Sequence, residues 1–455
     1  MLQISAEPRA TEKRRSEAAG APRPDTAPPA AEFAPSGKLL LTGHPIAEAL
    51  ETFGTPLYLY SESVLLDNLR RITDAVTYPD TKFYFAMVTN RAWPVLCRAA
   101  RFGWRFHFNS PLEADVLACA LERGGLSRAE MEACLAESVF SGGSISREQM
   151  MALVRHGTYV HLTACDQIPA YAGVAAATAG APRAVGLRVQ FDDNMQRARQ
   201  GVSVSEIPET LALAHAHGLR ITSIHMYRGT GTASAERFAE PFARFAEIAE
   251  GFPDLLHVDI GGGFGYDYET RGARFDWRAL NAFVEGLMRR INAHFGRTLT
   301  LRLEIGRSAV ASAGVFATRV LSRKPGFSER EVILGVDASS MSVRAAAPAV
   351  VGKRHHYFLE RQRPGADRDD LYTLVGPTTY TSDYLAKRVR IAGCGEAGVQ
   401  PGDTLVFLDC GAYGAVTHSE FLTTPRPAEA MITEDGEFLP ITRRAGVEQI
   451  TSHWA

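Results

Sequence analysis

The residues in this chain with the richest chemistry stand just after short apolar runs. One run leads into Asp259-Ile260-Gly261-Gly262-Gly263-Phe264-Gly265, where successive glycines let backbone N–H groups approach an anion closely. A phosphate is the natural ligand, and a tight βα turn is the plain alternative. A second run leads into Glu304-Ile305-Gly306-Arg307. Its carboxylate suits a ring N–H and its guanidinium matches a phosphate or carboxylate, unless the two simply pair on a rim. The third, Ser223 to Gly231, reads SIHMYRGTG. A ring at Tyr227 and a hydroxyl at Thr230 between two glycines suit a flat, phosphorylated ligand. His225 in the same run is explained equally well as a hydrogen-bonded core histidine.

These residues need elements that hold them together. From residue 55 onward apolar runs alternate with amphipathic segments, and the alternation repeats eight times. The strand candidates are 83–88, 105–108, 137–140, 158–162, 184–190, 220–226, 255–260 and 299–304. Helical patterns such as 110–122, 205–217, 233–250 and 277–294 lie between them. Strict alternation implies a parallel sheet covered by helices, and eight units close a (β/α)8 barrel; a doubly wound open sheet is the structural alternative. In a barrel the catalytic groups come from strand C-terminal ends, where the three motifs fall. After residue 312 strands follow one another without helices, at 315–323, 330–337, 355–360, 371–375, 388–393, 404–409 and 429–433. Turn signals such as Pro325-Gly326, Pro401-Gly402 and Asp435-Gly436 punctuate them. The expected organisation is a disordered tail over 1–37, rich in Ala, Pro, Arg and Glu. A segment at 38–59 joins the β domain, the barrel spans 60–310, and a mainly-β domain spans 311–455. The fold class is therefore α/β, a TIM-type barrel with a C-terminal β domain.

Composition excludes several classes. The 455 residues suffice for two domains. With 45% hydrophobic and 22% charged residues the chain is ordinary for a soluble globular protein. The net charge of -2 and the lack of a basic block argue against nucleic acid. No apolar run is long enough to span a bilayer, and the first residues lack a secretory core. Six scattered cysteines without a CxxC pair suggest neither a zinc site nor a disulfide scaffold. Free thiols point to a cytoplasmic protein. Only six of the 49 basic residues are Lys, at 13, 38, 82, 324, 353 and 387, so chemistry that needs an amine has few candidates.

Taken in order, the opening Gly54-Thr55-Pro56-Leu57-Tyr58-Leu59-Tyr60 with Asn68-Leu69-Arg70-Arg71, the glycine run, E-I-G-R, Gly376-Pro377-Thr378 and Gly411-Ala412-Tyr413 resemble the fold type III decarboxylases. These are the pyridoxal-phosphate enzymes of the ornithine, diaminopimelate and arginine decarboxylase type, with an alanine racemase-like fold. The likeness spans most of residues 40 to 425. It implies a barrel that binds pyridoxal phosphate, a β domain completing the site, an amino-acid-like ligand, and a homodimer with shared active sites. Gly261, Gly262, Gly263 and Arg307 match phosphate-binding positions, Thr230 replaces a Ser hydroxyl, and Tyr413 matches a phosphate-contacting Tyr. Glu304 matches the partner of the pyridine nitrogen, which keeps the ring an electron sink. His225 joins this cofactor-binding set.

The catalytic positions of the family do not carry over. Phe85-Ala86-Met87-Val88-Thr89-Asn90 places Val88 where the Schiff-base Lys belongs. The stacking His becomes Tyr227, an Asp after strand two becomes His107, the Cys of the Gly-Pro-Thr motif becomes Thr379 and the following acid becomes Tyr380, while Asp383 keeps a third acidic position. Lys82 is a poor substitute, about 20 Å from Val88 along an extended strand. Three readings follow. An enzyme of altered chemistry would hold pyridoxal phosphate, alone or already joined to an amino acid, noncovalently, with His107, Tyr227 and Asp383 as candidate catalytic groups. A noncatalytic relative would bind a small ligand or a protein. A cofactor-free enzyme would reuse the pocket. No metal is expected.

Overall fold

The computed structural model describes residues 31–190, 200–229, 231, 234–242, 244–268, 275–343 and 355–454. Its central feature is a closed barrel of parallel strands at Thr81–Ala86, Arg105–Phe108, Val139–Ser141, Tyr159–Leu162, Ala184–Gln190, Arg220–His225, His257–Asp259 and Thr300–Ile305, called strands one to eight below. Each pairs with the next, and strand eight pairs with strand one, Glu304 opposite Tyr84. The closed ring decides against the open-sheet alternative. The helices begin where local chemistry starts them. Ser61 caps Glu62–Ala75 by accepting the Val64 N–H, Ser127 and Ser146 make capping boxes, and Asp276 caps Trp277–Phe295. Asn68, on the buried face of the first of these, donates to Ala309 O at 3.0 Å and fixes that helix to the short helix Arg307–Val310 that follows strand eight.

Three expectations need correction. Strand one ends at Ala86, and Met87–Thr89 forms a 3-10 turn, so Val88 stands beyond the strand. The helix expected over 233–250 is broken into Ala235–Ala239, a 3-10 turn at Glu240–Phe242 and Phe245–Glu250; Pro241 lacks an amide hydrogen and stops the first segment. Within the expected tail, residues 1–30 lie outside the described residues, whereas Ala31–Phe33 pairs antiparallel with Leu39–Leu41, with Ala31 and both outer leucines buried. A further strand at Phe438–Thr442, which the sequence pattern did not single out, pairs with Ala428–Ile432.

The second domain is a β sheet built around the long strand Gly314–Pro325. Its innermost strand comes from before the barrel in sequence. Leu57–Ser61 lies between Gly314–Ala317, antiparallel, and Ala428–Ile432, parallel. The two domains are stitched at one corner. The Gly411 N–H donates to Ala311 O, the Tyr413 N–H donates to Thr89 O at 2.8 Å, and Asn90 Nδ2 donates to Gly411 O at 2.9 Å.

That corner demands glycine, because a Cβ on Gly411 would stand 1.9 Å from Val310 O. Gly411→Ala is expected to destabilise the chain by about 1–3 kcal/mol through overpacking, read as a lower urea midpoint with an unchanged slope.

Candidate active site

The C-terminal ends of the barrel strands surround a cavity of about 290 Å³. Val88, His107, Asn109, Arg188, His225, Tyr227, Gly262, Gly263, Glu304 and Arg307 line it, and Tyr413 of the β domain closes one side. A volume of this order suits a small, flat molecule.

Its polar centre is Glu304. The carboxylate is 4% exposed, and Oε1 lies 3.4 Å from both His107 Nε2 and His225 Nε2. Burial pushes the His107 imidazole down to about 4 and lowers His225 as well, so both rings are neutral near pH 7. Burial alone would raise the Glu304 carboxyl, but His107, His225 and Arg188 outweigh it and hold the group at about 2. With the imidazoles neutral, Arg188 is, among the described residues, the full positive charge that holds Glu304 low. Asp259, a second buried carboxyl, is pushed up, first by burial and then by Glu304.

Arg307 forms the other end. Its Nη1 donates to Tyr268 OH at 2.8 Å, and its guanidinium stacks 4.5 Å over the Tyr413 ring, so it is held rigidly with charge to spare. On the opposite wall Arg188 lies 5.6 Å over the Tyr227 ring. Glu113 accepts the N–H of Asn109 at 2.7 Å and sets the turn after strand two.

The glycine run has a packing reason of its own. A Cβ at Gly261, Gly262 or Gly263 would meet Met226 O at 2.5 Å, Glu304 O at 2.4 Å or Gly229 O at 2.0 Å. Gly262 and Gly263 line the cavity, while Gly261 does not and serves the turn. The packing supports the turn reading, and the place of Gly262 and Gly263 on the cavity wall leaves the anion reading open to them. Glu304 and Arg307 make no ion pair with each other. Thr230 lies outside the described residues.

Asp383, expected among the catalytic groups, is held by hydrogen bonds of its own domain. Its carboxylate accepts from Ser339 Oγ, the Ser340 N–H, Thr378 Oγ1 and the Thr378 N–H, all within the β domain, and it does not line the cavity. These bonds fold the 376–383 turn. Thr379 is exposed on that turn and borders a separate cavity with Ser339, Ser342 and Thr423. No described lysine lines the barrel cavity; Lys82 is exposed at the start of strand one. Sequence reasoning passed over Arg188 and Asn109. An arginine within the apolar strand AVGLRVQ was the available signal, since a charge there must face a polar interior.

The chain matches the family described as "Pyridoxal-dependent decarboxylase, pyridoxal binding domain" over residues 65–311, more than half of its length. It belongs to that family. Curated relatives include a diaminopimelate decarboxylase of Pseudomonas fluorescens, 26% identical over 91% of this chain and 96% of the relative. Another, from Neisseria meningitidis, is 29% identical over 89% and 96%. The fold matches the crystal structure of diaminopimelate decarboxylase from M. jannaschii at TM-score 0.82 and 18% identity, covering 94% of this chain and 98% of that one. The family implies pyridoxal phosphate as cofactor, and the groups present fit its two ends: the Glu304 carboxylate as acceptor for a ring N–H, Arg307 and the glycine turn as donors for a phosphate.

Acid should weaken the fold through this site. A histidine neutral in the fold and protonated when unfolded makes the unfolded chain bind the extra proton, so stability rises with pH between about 4 and 6.5. Glu304, held low, acts in the same sense further into acid. His107 alone contributes on the order of 3 kcal/mol across that window. Urea midpoints at pH 4.5 and 7 should differ less in His107→Gln than in the wild type.

Proposed function

We propose that this protein is a lysine-free member of the pyridoxal-dependent decarboxylases that holds pyridoxal phosphate, alone or already joined to an amino acid, without a covalent link to the chain. The observation that carries this is Val88, 38% exposed and facing the cavity, with Glu304 and Arg307 both in place and no described lysine on the wall. Valine offers no nucleophile. The cofactor, when bound, supplies an electron sink for charge developing on a substrate carbon.

The chain's own residues supply the rest. Arg307 and the N–H groups of Gly262 and Gly263 would hold the phosphate, with Tyr413 stacked behind the guanidinium. Glu304 would accept from the ring N–H. His107 and Tyr227, on opposite sides of the cavity, are the groups for moving a proton, and Arg188 is placed to neutralise a substrate carboxylate. The relatives' names, and the related structures complexed with L-lysine, support an amino acid or amino-acid-derived substrate. We also infer a homodimer in which the 376–383 turn meets the partner's barrel mouth. Tyr380 and Phe421 stand edge to face and, with Leu422, form an exposed apolar patch there. A protein with six free cysteines suits the cytoplasm. A second reading, a noncatalytic binding protein, draws support from Asp383, whose carboxylate is committed to the turn.

Borohydride reduction followed by intact-chain mass spectrometry tests the central reading. A chain that carries the cofactor but emerges unmodified is expected, whereas a pyridoxyl adduct retained after denaturation would refute noncovalent binding. Val88→Lys should create that adduct. Arg307→Ala should weaken cofactor binding about 10- to 100-fold, the loss of one charge-assisted contact, and more than His107→Ala does. Carbon dioxide release over an amino-acid panel separates the readings: a spectral shift without release points to the binding protein. Sedimentation at micromolar concentration should show a dimer.

A further inference from the structure

Where the cavity ends at Glu304, three side chains from three strands converge inside the barrel: His161 of strand four, Asp259 of strand seven and Glu304 of strand eight. One imidazole nitrogen and two carboxylate oxygens, one from each, lie within 4.8 Å of one another. His161 Nε2 is 3.8 Å from Asp259 Oδ2, and both side chains are fully buried. Asp259 Oδ2 has no hydrogen-bond partner, although a buried carboxylate oxygen left without one is costly, and Glu304 Oε1 has only the two imidazole nitrogens at 3.4 Å. Arg302 is the cation the chain itself offers nearby. Its guanidinium instead lies 4.4 Å over the Tyr159 ring, and its Nε and Nη1 are themselves without partners.

We propose that His161, Asp259 and Glu304 bind a divalent transition-metal cation of the zinc type. A tetrahedral zinc site with bonds of about 2.0–2.2 Å separates its ligand atoms by roughly 3.4 Å. The three groups reach that spacing by moving about an ångström toward a common centre. His161 Nδ1 lies 3.1 Å from Ser141 Oγ, the outer contact that fixes a ligating imidazole and leaves Nε2 for the metal. Nε2 pairs with Ser223 Oγ at 3.1 Å; metal binding exchanges that contact for the ion, with a water for any position left open. A dication neutralises both carboxylates and takes one oxygen of Glu304, leaving its other oxygen for a ring N–H in the cavity. Arg188 and Arg307 then remain as excess positive charge around the cavity above, which favours an anionic ligand there. The imidazole nitrogen and mixed donor set select zinc-type ions over magnesium or calcium.

This inference does not rest on the cofactor reading, because the metal is assayed with no pyridoxal phosphate present. The purified full chain, loaded with zinc and dialysed into metal-free buffer, should retain about one equivalent by elemental analysis. Cobalt loaded in its place should give the visible d–d bands of a low-coordinate site. Asp259→Asn keeps the shape and removes the charge, and should abolish retention. Ser141→Ala should weaken zinc binding about 10- to 100-fold. Should Asp259→Asn fail to fold, the wild-type cobalt spectrum still decides. Retention below about a tenth of an equivalent without cobalt bands overturns the proposal, as does undiminished retention in a folded Asp259→Asn.

Discussion

A carboxylate held inside a barrel, away from water, dictates what surrounds it. Glu304 ends strand eight with its side chain turned inward, and every neighbour answers to its charge. His107 and His225 approach it as neutral rings, Arg188 supplies the positive charge, and Asp259 is pushed toward its protonated form. Backbone obeys the same group: the turn after strand seven passes so close to Glu304 O that only glycine fits at 262. Removing one charged member would leave the others uncompensated, which in a buried cluster costs more than the contact itself is worth.

The cavity is divided in character as a result. Its floor and far wall are polar and charged, whereas Val88 presents two methyl groups on the side that strand one supplies. A ligand satisfying both must be anionic at the Arg307 end, able to donate a hydrogen at Glu304, and indifferent to an apolar contact between. Arg307 and Arg188, each braced against a tyrosine ring, lose little freedom when they engage it.

Much of the fold could be read from alternation alone, because a barrel strand buried on both faces is a short apolar run and its covering helix is amphipathic. The ends of strands were less legible. Strand one looked continuous through Val88, since a 3-10 turn of Met, Val and Thr carries no breaker. The glycine run and E-I-G-R were legible because a local sequence carries each of them. The setting of Asp383 was not legible, for the opposite reason. A family position kept as an acid says nothing of which way it points, and here four hydrogen bonds turn it into its own domain. Arg188 and the convergence of His161, Asp259 and Glu304 depend on residues distant in sequence meeting across the barrel, which neither periodicity nor spacing encodes.

The strand Leu57–Ser61 has a consequence for how the chain comes into being. It leaves the ribosome before any barrel strand, yet its two neighbours in the sheet, Gly314–Ala317 and Ala428–Ile432, are made only after the whole barrel. For most of synthesis its apolar residues therefore wait without a sheet to join. Pairing over such separations is slow, because a long loop must close before any contact rewards it. A folded barrel brings the two ends of that loop near each other in advance, so the order of translation makes the barrel the template on which the β domain is completed.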